Sequence, residues 1–232
     1  MITFFQPKVF QNLCNRSWVW LMISMMFCLN IGYFWALFFS PIDAQQGPIA
    51  KIMFIHVPAA WMALMCYACL GLFSLSYLSS KAWVSLYLAQ SAARVGCVFT
   101  LVCLISGSLW GLPTWGTWWV WDARLTSVLI LFFLYLSYLL LSSTFQNQEK
   151  AAKFSSALAL LGLVNLPIIK WSVDWWSTLH QPASISKLSA PSMHWSFYVP
   201  LIIISFGWFC YTVFVMMCAA QTKLIEQSRK NV

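Results

Sequence analysis

Six stretches of this chain stay apolar for about as long as a helix needs to cross a bilayer, and nothing else limits the fold as strongly. The hydrocarbon layer takes roughly 20 consecutive apolar residues in helical form. Runs of that kind cover 17–39, 54–79, 88–110, 125–145, 154–171 and 196–219. Only 8% of the 232 residues are charged, with a mean hydropathy of +0.76, against roughly 25% charged residues in soluble domains. A water-soluble fold and a charged disordered tail are thereby excluded. No stretch alternates at period two as a membrane strand would. The expected architecture is an all-α integral membrane protein with six transmembrane helices, a single polytopic unit over residues 1–232. No second domain, low-complexity linker or internal repeat is visible.

Details of the spans refine that picture. The second is expected to start at His56-Val57-Pro58, because a proline in a first helical turn gives up only an amide that has no partner anyway. The third carries Arg94 and Gly96 near its start, where Arg94 can snorkel to an interface. The fifth is short and runs on into an amphipathic stretch, Trp171 to His180. The first is too long for a signal-peptide apolar region of roughly 7–15 residues, and no A-x-A site follows it.

The net charge of +8 would suggest nucleic acid in a soluble protein, but the basic residues are dispersed along the chain, so no nucleic-acid partner is expected. Membrane orientation accounts for them better. With a cytoplasmic N-terminus, Lys8, Arg16, Lys81, Arg94, Lys150, Lys153, Lys223, Arg229 and Lys230 fall inside. Lys51, Arg124, Lys170 and Lys187 fall outside, a split of nine to four that places both termini in the cytoplasm. The eight cysteines all fall in spans or on the inner side, so no disulfide of an oxidising compartment is implied. Cys66-x-x-Cys69 reads as two core residues, and no C-x-x-C-H haem-attachment string occurs.

The polar chemistry must then come from the outer loops, where nine of the fifteen tryptophans lie in windows 110–121 and 171–195. An aromatic belt at headgroup level explains single indoles such as Trp18, Trp35 and Trp83. It does not explain Trp110, Trp115, Trp118, Trp119 and Trp121 falling within twelve residues. On a helix, Trp115, Trp118, Trp119 and Asp122 would share one face, forming a shelf for a large flat ligand with Arg124 just beyond. The three histidines, His56, His180 and His194, are all expected outside. His180 follows Trp176 by four residues and would share a helical face with it. Imidazoles His56 and His180, on separate loops flanking the shelf, could ligate an iron porphyrin from both faces. No outer cysteine or carboxylate cluster completes a zinc site. His194 reads as an interfacial residue, not a ligand.

The segment Trp115-Gly116-Thr117-Trp118-Trp119-Val120-Trp121-Asp122 closely resembles the W-G-x-x-W-x-W-D signature of the haem-handling WWD superfamily. Within it, CcmF proteins are much larger, and CcsA proteins carry an additional pair of membrane-buried histidines. The six spans, with one histidine before the signature (Phe54-Ile55-His56-Val57-Pro58-Ala59-Ala60) and one after it (Trp175-Trp176-Ser177-Thr178-Leu179-His180-Gln181), look like the CcmC family. The stretch Val164-Asn165-Leu166-Pro167-Ile168-Ile169 is similar to that family's fifth helix.

That resemblance implies a protein of the bacterial inner membrane, or of the mitochondrial one, that binds haem b non-covalently at the outer, periplasmic face. It implies delivery to the haem chaperone CcmE, beside the transporter parts CcmA and CcmB and the small protein CcmD. Carried onto this sequence, His56 and His180 become the axial ligands. The contacts to the porphyrin are expected from Trp110, Trp115, Trp118, Trp119, Trp121, Asp122, Arg124 and Trp176. Asp122 is expected to organise its loop, since a carboxylate repels haem propionates, and Arg124 to meet a propionate. No G-x-x-x-x-G-K-[ST] string occurs, so nucleotide hydrolysis would belong to a partner. Catalysis here would be no more than proximity. The residues alone also admit a haem-transporter subunit or a membrane haem/quinone electron carrier.

Overall fold

The computed structural model describes residues 5–181, 185 and 192–230, and among these there is no β-strand. The helices are α1 (Pro7–Phe38), α2 (Met53–Ser80), α3 (Trp83–Trp115), α4 (Ala123–Thr144), α5 (Gln148–Gly162), α6 (Asn165–Trp175) and α7 (Trp195–Lys230), with a 3-10 turn at Pro48–Ile52. Six segments are long and apolar enough to cross a membrane, α5 and α6 together making the fifth. Lys187, assigned to the outer side from sequence, lies outside the described residues.

Several helices outrun their apolar stretches. α1 starts at Pro7 because Phe10 and Cys14 are buried against Tyr87, Leu88 and Leu224, so packing extends the helix through its polar first turns. α2 begins at Met53, ahead of the expected His56. Pro58 therefore sits inside the helix and His56 is a helical residue, not a loop residue. The 3-10 turn leads into α2, and Lys51 Nζ donates to the Leu37 carbonyl at 2.7 Å, where the end of α1 leaves carbonyls without helical partners.

The fifth span breaks at Leu163 and Val164, whose amides donate three residues back, to Leu160 (3.2 Å) and Leu161 (3.4 Å). Pro167 has no amide to offer the carbonyl four residues earlier, so the ladder tightens and restarts. The Asn165 side chain then donates from Nδ2 to the Ser127 carbonyl on α4 at 2.9 Å. The Val164–Ile169 stretch thus straddles the break instead of forming one continuous helix.

Helix α2 packs along α3, α1 along α7, and α4 against α3, α5 and α6. In lipid, close packing and hydrogen bonds must hold helices together, because lipid tails are as apolar as the side chains. Tyr67, Phe99, Leu131, Tyr135 and Ile169 fill the centre. Gly96 leaves room for Tyr135, whose hydroxyl donates to the Ala63 carbonyl at 2.7 Å and ties α4 to α2. Trp20, Phe27, Phe34 and Phe38 of α1 are exposed, as lipid-facing residues should be. Cys66 is buried in the core, Cys69 packs against it, and all eight cysteines are free.

Candidate functional site

Where the C-terminal end of α3 meets the starts of α2 and α4 the packing opens into a cavity of about 430 Å³, within the usual range for small-molecule and cofactor sites. Its deep wall is apolar, with Ala63, Val128, Leu131 and Ile169. Its mouth carries His56, His180, Arg124, Trp110, Trp115 and Trp119.

His56 projects from the first turn of α2 onto α3. Its Nδ1 lies 3.1 Å from the Cys103 carbonyl and 3.1 Å from Ser106 Oγ. A carbonyl only accepts, so Nδ1 carries the proton and Nε2 keeps its lone pair. Gly107 makes the seat: a Cβ there would stand 3.0 Å from His56 Cε1. The Trp110 ring meets His56 edge to face at 5.7 Å, and its Nε1 donates to Gln46 Oε1 at 2.9 Å. Gln46 is held by a tight turn in which Asp43 Oδ1 accepts from the amides of Gln45 and Gln46.

The tryptophan-rich segment is not one helix. α3 ends at Trp115 because Gly116 takes φ +76°, the left-handed conformation that commonly closes a helix. Thr117 to Trp121 are irregular, and α4 starts after Asp122. The expected shelf of Trp115, Trp118, Trp119 and Asp122 on one helical face therefore does not exist. Trp110, Trp115 and Trp119 line the cavity, whereas Trp118 and Trp121 are 53% and 77% exposed and are not among the residues lining it.

Asp122 joins two segments around this loop. Its carboxylate accepts from the Leu125 amide at 2.7 Å and caps α4. The other carboxylate oxygen accepts from the Thr178 hydroxyl. Thr178 Oγ1 in turn accepts from the His180 amide at 3.1 Å, and His180 Nδ1 lies 2.8 Å from the Gln181 carbonyl. His180 thus also holds its ring proton on Nδ1, leaving the lone pair on Nε2.

α6 ends at Trp175, so Trp176 and His180 do not share a helical face. Trp176 is exposed and does not line the cavity. Burial, then the Arg124 guanidinium, lowers the His180 pKa from its ordinary value. The Gln181 carbonyl and Asp122 oppose that shift without reversing it.

The two imidazole centroids are 6.5 Å apart. With metal–nitrogen bonds of about 2.0–2.1 Å and ~1.1 Å from nitrogen to centroid, two imidazoles on opposite sides of one metal have centroids about 6.3 Å apart. Trp115 lies 6.4 Å from His180 on the other flank. Two polar atoms in this region are buried without a hydrogen-bond partner, Trp119 Nε1 and Arg124 Nε. Both are donors only, which suits an anionic group entering the cavity. The donor set therefore fits an iron porphyrin: two neutral imidazole nitrogens for the metal, indoles for the ring and N–H donors for its carboxylates.

His194 stands apart. Its Nδ1 is 2.8 Å from Ser196 Oγ at the start of α7, and it does not line the cavity. Among the described residues no cluster of three or more His, Cys, Asp or Glu could hold a metal ion. Sequence reasoning missed Gln46, Gly107, Ser106, Thr178 and Gln181. The Asp43 turn and a threonine two residues before His180 were the available signals.

Known proteins are similar to this sequence over most or all of its length. Residues 1–232 match the family described as heme exporter protein C, CcmC. Heme exporter protein C of Bradyrhizobium diazoefficiens is 40% identical over 232 residues, covering 100% of this chain and 88% of the relative. That of Haemophilus influenzae is 38% identical over 229 residues, covering 97% and 92%. A ccmC-like mitochondrial protein of cytochrome c biosynthesis from Marchantia polymorpha is 44% identical over 193 residues, covering 83% and 79%. With a full-length family match, relatives this similar and six membrane-crossing segments, the chain belongs to the heme exporter protein C (CcmC) family of multi-pass inner-membrane proteins.

Proposed function

We propose that this protein serves cytochrome c maturation by holding haem b, non-covalently, in the cavity at the outer face of the membrane and releasing it to a CcmE-type haem chaperone. CcmA-, CcmB- and CcmD-type proteins are its partners, and they supply the nucleotide hydrolysis for which this chain has no motif. The observation that carries the reading is the pair of imidazoles 6.5 Å apart, each with Nδ1 held by a carbonyl. A carbonyl accepting from the ring N–H fixes the orientation of an imidazole and raises its basicity as a ligand.

In this reading His56 and His180 ligate the iron, and Trp110, Trp115 and Trp119 flank the porphyrin within the Trp110–Arg124 segment. Arg124 Nε and Trp119 Nε1 donate to the propionates, where a guanidinium fork matches a carboxylate better than an ammonium does. Trp118, Trp121 and Trp176, exposed and outside the cavity lining, are open to contact by the chaperone that takes the haem. The names of the relatives, heme exporter protein C and a protein of cytochrome c biosynthesis, support this role.

An absorption spectrum of the purified, haem-loaded protein tests the reading. Two axial imidazoles give a low-spin site with sharp α and β bands on reduction. His56→Ala and His180→Ala each lose those bands, and His194→Ala keeps them. An unchanged low-spin spectrum in either of the first two variants would overturn the assignment.

A further inference from the structure

We infer that Thr178 is the positioning residue for the second axial ligand, coupling Asp122 of the tryptophan-rich segment to His180. This rests on the proposed haem ligation by His180. His180 belongs to no helix: α6 has ended at Trp175 and the chain is irregular through Gln181. A ligand in such a segment needs something rigid to fix it. Asp122 is rigid, because its carboxylate caps α4 through the Leu125 amide at 2.7 Å.

Thr178 joins the two. Its hydroxyl donates to the second Asp122 oxygen, and the same oxygen atom of Thr178 accepts from the His180 amide at 3.1 Å. One hydroxyl thus uses its donor and an acceptor site to span from the start of α4 to the backbone of the ligand. Only a side chain that both donates and accepts can do this, and serine and threonine are the smallest that qualify. The link also explains how the Asp122 carboxylate serves the site without touching an anionic porphyrin edge. Its charge is directed to an amide and a hydroxyl, and its effect reaches the iron through the placement of His180.

The test uses the full-length protein purified with haem, comparing Thr178→Val, Thr178→Ser and His180→Ala with the parent. Thr178→Val keeps shape and removes both hydrogen bonds. It should lose most of the low-spin signal, at least about fivefold, and take on the high-spin spectrum of His180→Ala. Added imidazole should restore the low-spin bands in Thr178→Val and in His180→Ala, a rescue that general misfolding would not allow. Thr178→Ser should keep the parent spectrum. If Thr178→Val does not accumulate, Asp122→Asn decides. Asparagine still caps α4 but offers Thr178 a donor in place of an acceptor, and the low-spin fraction should fall in the same direction by a smaller amount. A parent-like low-spin fraction in Thr178→Val, or in Asp122→Asn where that variant decides, with His180→Ala high-spin, would refute the role of Thr178 alone. A low-spin spectrum persisting in His180→Ala would remove the ligation reading and this inference with it.

Discussion

The rings of His56 and His180 have centroids 6.5 Å apart, yet the two residues are held in opposite ways. His56 is a residue of α2, seated over Gly107 and bonded to Cys103 and Ser106, all three on α3. Moving it means separating two helices that pack along their length. His180 lies in an irregular segment and depends on Thr178, Gln181 and, one step removed, Asp122. Segments with few packed contacts open at lower free energy than packed helices. Under the proposed haem ligation His56 would be the fixed ligand and His180 the releasable one, an asymmetry suited to a cargo that is passed onward.

Removing each imidazole tests the asymmetry most severely. Either alanine variant abolishes the low-spin bands. His56→Ala should lower haem content more than His180→Ala, with losses at or beyond the roughly ten- to hundredfold typical of disturbed metal-ligand support. Equal haem content in the two variants, measured per protein, would erase the distinction between fixed and releasable ligands.

Gly107→Val attacks the fixed side only. A Cβ already reaches 3.0 Å from His56 Cε1, so the branched side chain must push the ring off its seat. Haem retention should fall by about tenfold, on the scale of losses seen when the groups that orient a metal-binding imidazole are disturbed, while α-helix content by circular dichroism stays the same. Retention equal to the parent's would show that His56 is not seated there.

The indoles sharpen the comparison in a third way. Trp119→Ala removes a cavity wall and should weaken haem retention about three- to tenfold, the range of an aromatic contact worth roughly 0.5–1.5 kcal/mol. Trp121→Ala, at an indole 77% exposed, should leave retention unchanged. Reversed results in a haem-transfer titration to apo-protein would reverse the assignment of inner and outer faces.

The smallest expected effect is a pH shift on the releasable side. An imidazole ligates only when neutral. Burial first, and Arg124 next, lower the His180 pKa, so the neutral form persists as pH falls through about 6.5, the ordinary histidine value. Arg124→Gln removes one of the lowering causes, and the acid midpoint of the low-spin bands should move upward. A midpoint that stays or moves down would show that the guanidinium does not act on His180.

Much of the frame was readable from sequence because hydropathy is a local sum. Each apolar run is long enough to cross hydrocarbon whatever its neighbours do, and each of the six falls on an observed span to within one residue. Helix ends were less legible: the polar first turns of α1 carry no apolar signal, and only burial of Phe10 and Cys14 against α3 and α7 reveals why the helix extends there. The tryptophan segment departs from its helical periodicity for a different reason: the glycine after Trp115 and the aspartate before the next apolar run are stop and start signals in their own right. The end of α6 at Trp175 likewise separates Trp176 from His180.

By itself the sequence determined that this chain has six membrane-crossing segments, that nine of its fifteen indoles cluster in two connecting stretches, and that Asp122 closes the tryptophan segment. Those are properties of short stretches read against the length and polarity of a bilayer. Tertiary structure alone decided that His56 and His180, 124 residues apart in the chain, meet at 6.5 Å. It also decided that Trp110, Trp115 and Trp119 turn inward while Trp118, Trp121 and Trp176 do not. The reason is geometric. Which side chain faces a cavity depends on the rotation of each helix about its axis and on how closely its neighbours approach, and small residues such as Gly107 set that approach only once the partner helix is in place.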